Sequence, residues 1–186
     1  MRINLPNGLT IARILMVPLM VIAFYLPFRG TNLIAAAMFT IAAITDWLDG
    51  YLARRYQQTS DFGAFLDPVA DKLAVTVALF LIVQADKTAL MAVTAAIIVG
   101  REITISALRE WMAAIGERTK VGVAWLGKVK TVVQMVAIII LLMQHRYVGK
   151  PLYWFGKALL IAAAALTIWS AVVYLRAAWP VLRSRA

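Results

Sequence analysis

The chain has 186 residues, 63% hydrophobic and 15% charged, with a mean hydropathy of +0.82 and no cysteine. Soluble domains run about 45–50% apolar and about 25% charged, which excludes a water-soluble globule, a coiled coil and a disordered tail. Disulfides, thiolate chemistry and zinc–sulfur or iron–sulfur sites are excluded with the cysteines. The formal charge of +10 would suggest nucleic acid for a soluble chain. In a membrane chain it implies anionic lipid, a phosphorylated ligand or both, and no nucleic acid.

The length suits one domain, 1–186, and about six spanning helices of about 20 residues each. The start, MRINLPNGLTIARILMVPLM, carries Arg13 inside its apolar run and no small-residue cleavage site, so it reads as a short interfacial segment entering a first span. Apolar runs predict spans at Leu9–Phe28, Leu33–Ala53, Asp67–Val83, Ala89–Ala114, Val121–Met143 and Leu152–Leu175, separated by turn and polar residues. Spanning segments must satisfy their own backbone polar groups, so the expected architecture is an all-α membrane bundle. With both termini on the cytoplasmic side, fourteen bases fall on that side and five, Arg29, Lys87, Arg146, Lys150 and Lys157, on the other. That bias favours an N-in, C-in arrangement.

Five of the nine acids lie between positions 46 and 71. Asp46 and Asp49 are spaced i, i+3; Asp67 and Asp71 are spaced i, i+4. Each pair shares a helix face, the second together with Gly63 if its helix starts near that residue. Solvated acids at helix ends are the plain alternative, but four on two stripes fit a shared cavity better. Carboxylates near a bilayer pair, bind ions or line wet cavities. Oxygen ligands without His or Cys suit Mg²⁺ or Mn²⁺. Gly50 and Ala53 lie on the first stripe, where small residues allow either tight helix packing or close approach of a ligand. Arg54 follows and can fork onto a phosphate. Together these residues describe a site for a metal-bound pyrophosphate.

Residues 46–71 read DWLDGYLARRYQQTSDFGAFLDPVAD. This fits D-x2-D-G-x2-A-R-x8-G-x3-D-x3-D at every fixed position, and the chain thereby resembles the CDP-alcohol phosphotransferases, integral membrane enzymes of phospholipid synthesis. The runs Pro6-Asn7-x-Leu9-Thr10-x-x-Arg13, Gly100-Arg101-Glu102-Ile103 and Gly127-Lys128-x-Lys130-Thr131 extend the resemblance over essentially the whole chain. They look most like the bacterial members that use glycerol 3-phosphate as acceptor. The resemblance implies a six-helix homodimer in the bacterial inner membrane, with its site at the cytoplasmic face among membrane phospholipids. It implies that Asp46, Asp49 and Asp67 hold divalent metals and that Asp71 joins them or acts as general base. Gly50, Ala53 and Gly63 would line the cytidine pocket, Arg54 would hold the diphosphate, and Asn7 and Thr10 would close the nucleotide site.

The chemistry expected is a single displacement. The primary hydroxyl of glycerol 3-phosphate attacks the lipid-side phosphorus of CDP-diacylglycerol, and CMP leaves. Charge on the pyrophosphate must be neutralised, as a two-metal site does, and the alcohol needs a base within reach. Candidate residues for the acceptor phosphate are Arg101 and Arg109 on the fourth span and Lys128, Lys130 and Thr131 at the fifth, with Glu102 orienting Arg101. Arg109, next to Glu110, is explained somewhat better by snorkelling to the interface. Inositol phosphate, serine or phosphatidylglycerol would use the same donor site. A transporter built on intramembrane acids is a different class, marked by inverted repeats and acids at mid-membrane; no repeat is visible, and the acids cluster at one face.

Overall fold

The structure, a computed structural model, describes residues 5–56, 61–116 and 124–185. The side chains it describes within them are those of 8–46, 48, 63, 65–116, 129–144 and 146–183. Six helices follow in chain order: α1 (Leu5–Tyr25), α2 (Thr31–Tyr56), α3 (Asp61–Ala85), α4 (Ala89–Ala114), α5 (Ala124–Met143) and α6 (His145–Arg185). Among the described residues there is no strand. The expected fourth helix and the start of the third near Gly63 agree with these bounds.

Several helix ends differ by a few residues, and two of the differences have identifiable reasons. The stretch expected to lie in the interface is continuous with α1 from Leu5, because Pro6 near a helix start costs no backbone hydrogen bond. α6 runs on to Arg185 rather than stopping at Leu175. Apolarity fades beyond Leu175, yet Ala178 is still fully buried. Near its other end α6 is interrupted at Gly149, whose φ of 77° is a left-handed conformation that glycine takes without a Cβ clash. Pro151 then restarts the helix. Thr88 caps α4, its hydroxyl accepting from the Met91 N–H at 3.5 Å.

α1 packs on α2 and α3, α6 on α4 and α5, and α2 and α3 meet α5 between those groups. The core is filled by Met20, Phe39, Leu79, Ile82, Met91, Ile98, Ile138 and Leu141. Fully buried alanines at 35, 36, 78, 137 and 163 let the helices approach closely. The perimeter is the reverse of a soluble protein's: Leu15, Leu19 and Ile22 on α1, Phe80 on α3, and Trp154, Trp169 and Trp179 on α6 are all more than half exposed. Among the described residues, three helices contain stretches long and apolar enough to cross a membrane: Gly8–Tyr25 in α1, Ala89–Ala114 in α4 and Arg146–Arg183 in α6. α2 and α5 carry shorter apolar stretches, Thr31–Asp46 and Val129–Met143.

Candidate active site

The site grows from two helix spacings that meet. Thr10 and Arg13 are one turn apart on α1; Asp67 and Asp71 are one turn apart on α3. The Thr10 hydroxyl donates to Asp67 Oδ1 at 2.6 Å. Arg13 Nη1 donates to Asp71 Oδ1 at 2.6 Å and to Asp46 Oδ1, on α2, at 2.5 Å. Arg13 is 1% exposed, whereas the side chains of Asp46 and Asp71 are 40% and 48% exposed. A buried guanidinium thus draws the last acid of one stripe and the first of the other onto a single nitrogen. Such charge-assisted bonds are short and strong, and they offset the like-charge repulsion of two adjacent carboxylates.

Those carboxylates form one wall of a cavity of about 180 Å³. The opposite wall comes from α4 and α5, with Glu102, Lys130, Thr131 and Gln134, and α3 adds Lys72 and Thr76. Glu102 Oε1 accepts from Lys130 Nζ at 2.6 Å and from Arg101 Nη1 at 3.2 Å. Arg101 turns away from the cavity: its Nη2 donates to Ser170 of α6 at 2.7 Å. Arg109 stacks over the Tyr174 ring of α6, 5.9 Å from its centroid. Lys72 Nζ donates to Ser106 Oγ across α3 and α4.

The structure therefore brings together Asp46, Asp71, Lys130 and Thr131 around one space, with Asp67 one turn beyond and Gly63 buried further along α3. Arg101 and Arg109 do not line it; both engage α6. Asn7, Asp49, Gly50, Ala53, Arg54 and Lys128 lie outside the described side chains. Lys72 lines the cavity, and Arg13 and Ser106 bond to residues that line it; spacing singled out none of the three. A signal for Arg13 existed, since a full charge inside an apolar run has to find a partner. Among the described residues no group of three or more acids converges tightly enough to hold a metal ion. The donors that face the cavity, Asp46 and Asp71, are hard carboxylate oxygens, and these two with Asp67 fit Mg²⁺ or Mn²⁺ in kind.

Comparison with known proteins supplies the family. A model of the CDP-alcohol phosphatidyltransferase family matches residues 3–169. The chain belongs to that family. Its relatives include proteins named CDP-diacylglycerol–glycerol-3-phosphate 3-phosphatidyltransferase. The one from Sodalis glossinidius is 50% identical over 178 residues, covering 96% of each chain. That from Pseudomonas fluorescens is 49% identical over 188 residues, 97% of this chain and 93% of its own. That from Haemophilus influenzae is 51% identical over 178 residues, 96% and 95%. The family match spans all the cavity-lining residues and ends one residue before Ser170, the α6 partner of Arg101.

Proposed function

We propose that the chain transfers the phosphatidyl group of CDP-diacylglycerol to sn-glycerol 3-phosphate, releasing CMP and forming phosphatidylglycerophosphate. The observation that carries this reading is the cavity in which two signature acids, drawn together by Arg13, face Lys130 and Lys72. An acidic wall suits the donor's metal-bound diphosphate; a basic wall suits the acceptor's phosphate. The near full-length relatives named for this reaction support the same acceptor.

Asp46, Asp49 and Asp67, with or without Asp71, would hold Mg²⁺ or Mn²⁺, which when bound neutralises charge on the diphosphate. Asp71 accepts the proton of the glycerol hydroxyl as its oxygen bonds to the lipid-side phosphorus, and the bond to the CMP oxygen breaks. Arg13 holds the Asp71 carboxylate toward the cavity. Thr10 fixes the Asp67 carboxylate one turn away, and so serves the nucleotide site by restraining an acid. Asn7, Gly50, Ala53, Arg54 and Gly63 would shape the cytidine and diphosphate pocket. Lys128, Lys130 and Thr131 would hold the acceptor phosphate, while Arg101 acts through Glu102, and Arg109 anchors α4 on α6.

The protein works as a homodimer, with six spans and both termini inside, in the bacterial cytoplasmic membrane. The exposed apolar perimeter and the bias of bases toward the ends where the acids lie support that placement. Purified protein given CDP-diacylglycerol, Mg²⁺ and labelled alcohols should release CMP with glycerol 3-phosphate. Release only with inositol phosphate, serine or phosphatidylglycerol would sink the acceptor assignment, and no release with any alcohol would sink the enzyme reading. Asp71→Asn should abolish turnover more than it weakens CDP-lipid binding; equal loss of both would make it a metal ligand alone.

A further inference from the structure

Lys72 stands apart from the other charged side chains inside the bundle. Arg13 pairs with Asp46 and Asp71, Lys130 with Glu102, and Lys157 with Asp86. Lys72 lines the cavity, yet its hydrogen-bond partner is the neutral hydroxyl of Ser106; among the described residues no carboxylate forms a close ion pair with it, and Glu102, which feels its charge, is already engaged by Lys130 and Arg101. A half-buried ammonium between apolar helices is costly without a counter-charge. Helix spacing explains how it is aimed. Ser106 follows Glu102 by one turn on α4, and Lys72 precedes Thr76 by one turn on α3, so Lys72 and Ser106 meet beside the space bounded by Glu102, Lys130 and Thr76.

We propose that Lys72 and Ser106 form a phosphate-binding pair, with Lys72 supplying the counter-charge for a phosphate oxygen entering the cavity. The ammonium has three N–H donors and spends one on Ser106. The serine hydroxyl accepts that bond and keeps its own proton to donate. The pair therefore presents N–H and O–H donors side by side. Lys130, bonded to Glu102, lines the same space. This assignment rests on the phosphatidyl-transfer reading, because both of that reaction's substrates carry phosphate: a monoester on the acceptor and a diphosphate on the donor. The cavity lies between the acids and the acceptor residues, so either could reach Lys72.

Steady-state kinetics of Lys72→Met, Lys72→Arg and Ser106→Ala decide the matter, each varied in both substrates. Lys72→Met should raise one substrate's KM by about 10- to 100-fold, the expected effect of losing a charge-assisted hydrogen bond. A rise for glycerol 3-phosphate assigns the pair to the acceptor's phosphate, and a rise for CDP-diacylglycerol assigns it to the diphosphate. Lys72→Arg should recover most of the loss, and Ser106→Ala, a small change that leaves packing intact, should raise the same KM less. A fall in kcat with both KM values unchanged would overturn the proposal, as would a Lys72→Arg variant no better than Lys72→Met. If the unaltered protein releases no CMP with glycerol 3-phosphate, the functional reading fails instead, which wild-type turnover reveals before any variant is measured.

Discussion

Arg13 carries a full charge at a position 1% exposed and touches two acids on two other helices. It ties α1, α2 and α3 at the site, so its loss should be felt in both stability and turnover. Arg13→Met removes two charge-assisted hydrogen bonds while keeping most of the side-chain volume. Each such bond contributes about 1.5–3 kcal/mol when buried, but here water reaches both acids, which lowers the figure. The expected cost is about 1–3 kcal/mol of stability, seen as a lower Tm in detergent, with CMP release down about ten-fold or more. An unchanged turnover would mean that Asp46 and Asp71 need no such restraint. Counting charge by position made Arg13 and Lys72 look like topology residues. Their partners are 33 and 58 residues away from Arg13, and 34 from Lys72, separations that a helical period cannot encode. The acids were legible because their pairs sit within one turn of each other.

At the scale of helices, two further contacts help to hold α6 in place. In the turn between α3 and α4, the Asp86 carboxylate accepts from Lys157 at 2.5 Å, from Tyr153 at 3.0 Å and from Thr88 at 2.9 Å. Burial pushes this carboxyl up, but the bonds from Lys157, Thr88 and Tyr153 and the Lys157 charge outweigh it, leaving it below the ordinary 3.8. Because its folded-state value is depressed, Asp86 contributes stability that is fully present above the unfolded value and is lost as pH falls through the folded one. Melts from about pH 5 down to about pH 3 should therefore show a shallower acid loss in Asp86→Asn than in the parent; identical acid limbs would assign the loss to other acids.

The second contact is steric. A Cβ on Gly156 of α6 would stand 2.8 Å from Ile140 Cγ2 and 3.2 Å from Ile140 Cβ on α5. A β-branched neighbour has little rotamer freedom to yield. Gly156→Ala should cost about 1–3 kcal/mol by overpacking, and Ile140→Ala in the same chain should recover part of it. No recovery in the double variant would locate the strain elsewhere. The fourth helix was readable residue for residue because its apolar run is bounded on both sides by turn and polar residues. The length of α6 was not readable, since burial of Ala178 depends on what packs beside it.

For the whole molecule, orientation is the quantity to test. The chain has no cysteine, so single cysteines can be introduced one at a time. Arg29→Cys and Lys150→Cys, both at exposed positions, should react with an impermeant thiol reagent from outside intact cells. Arg176→Cys should react only after the membrane is opened. Labelling of Arg176→Cys in intact cells would reverse the assigned topology and put the acids on the wrong side for a cytoplasmic nucleotide donor.

Composition and the long apolar runs together determined that the chain is helical and apolar on its outside, because runs of about 20 residues in hydrocarbon bond their backbone groups within a helix and 63% hydrophobic residues cannot all be buried in 186. The signature by itself carried the resemblance to the family, because all eight of its fixed positions are met within residues 46–71, and the family match over residues 3–169 established it. Only the tertiary structure decided which cations meet those acids. It turned Arg101 and Arg109 toward α6, set Arg13 between Asp46 and Asp71, and brought Lys72 to the cavity beside Lys130. The reason is physical: a helix dictates which of its own residues share a face, whereas the partner across the gap depends on how the neighbouring helices pack.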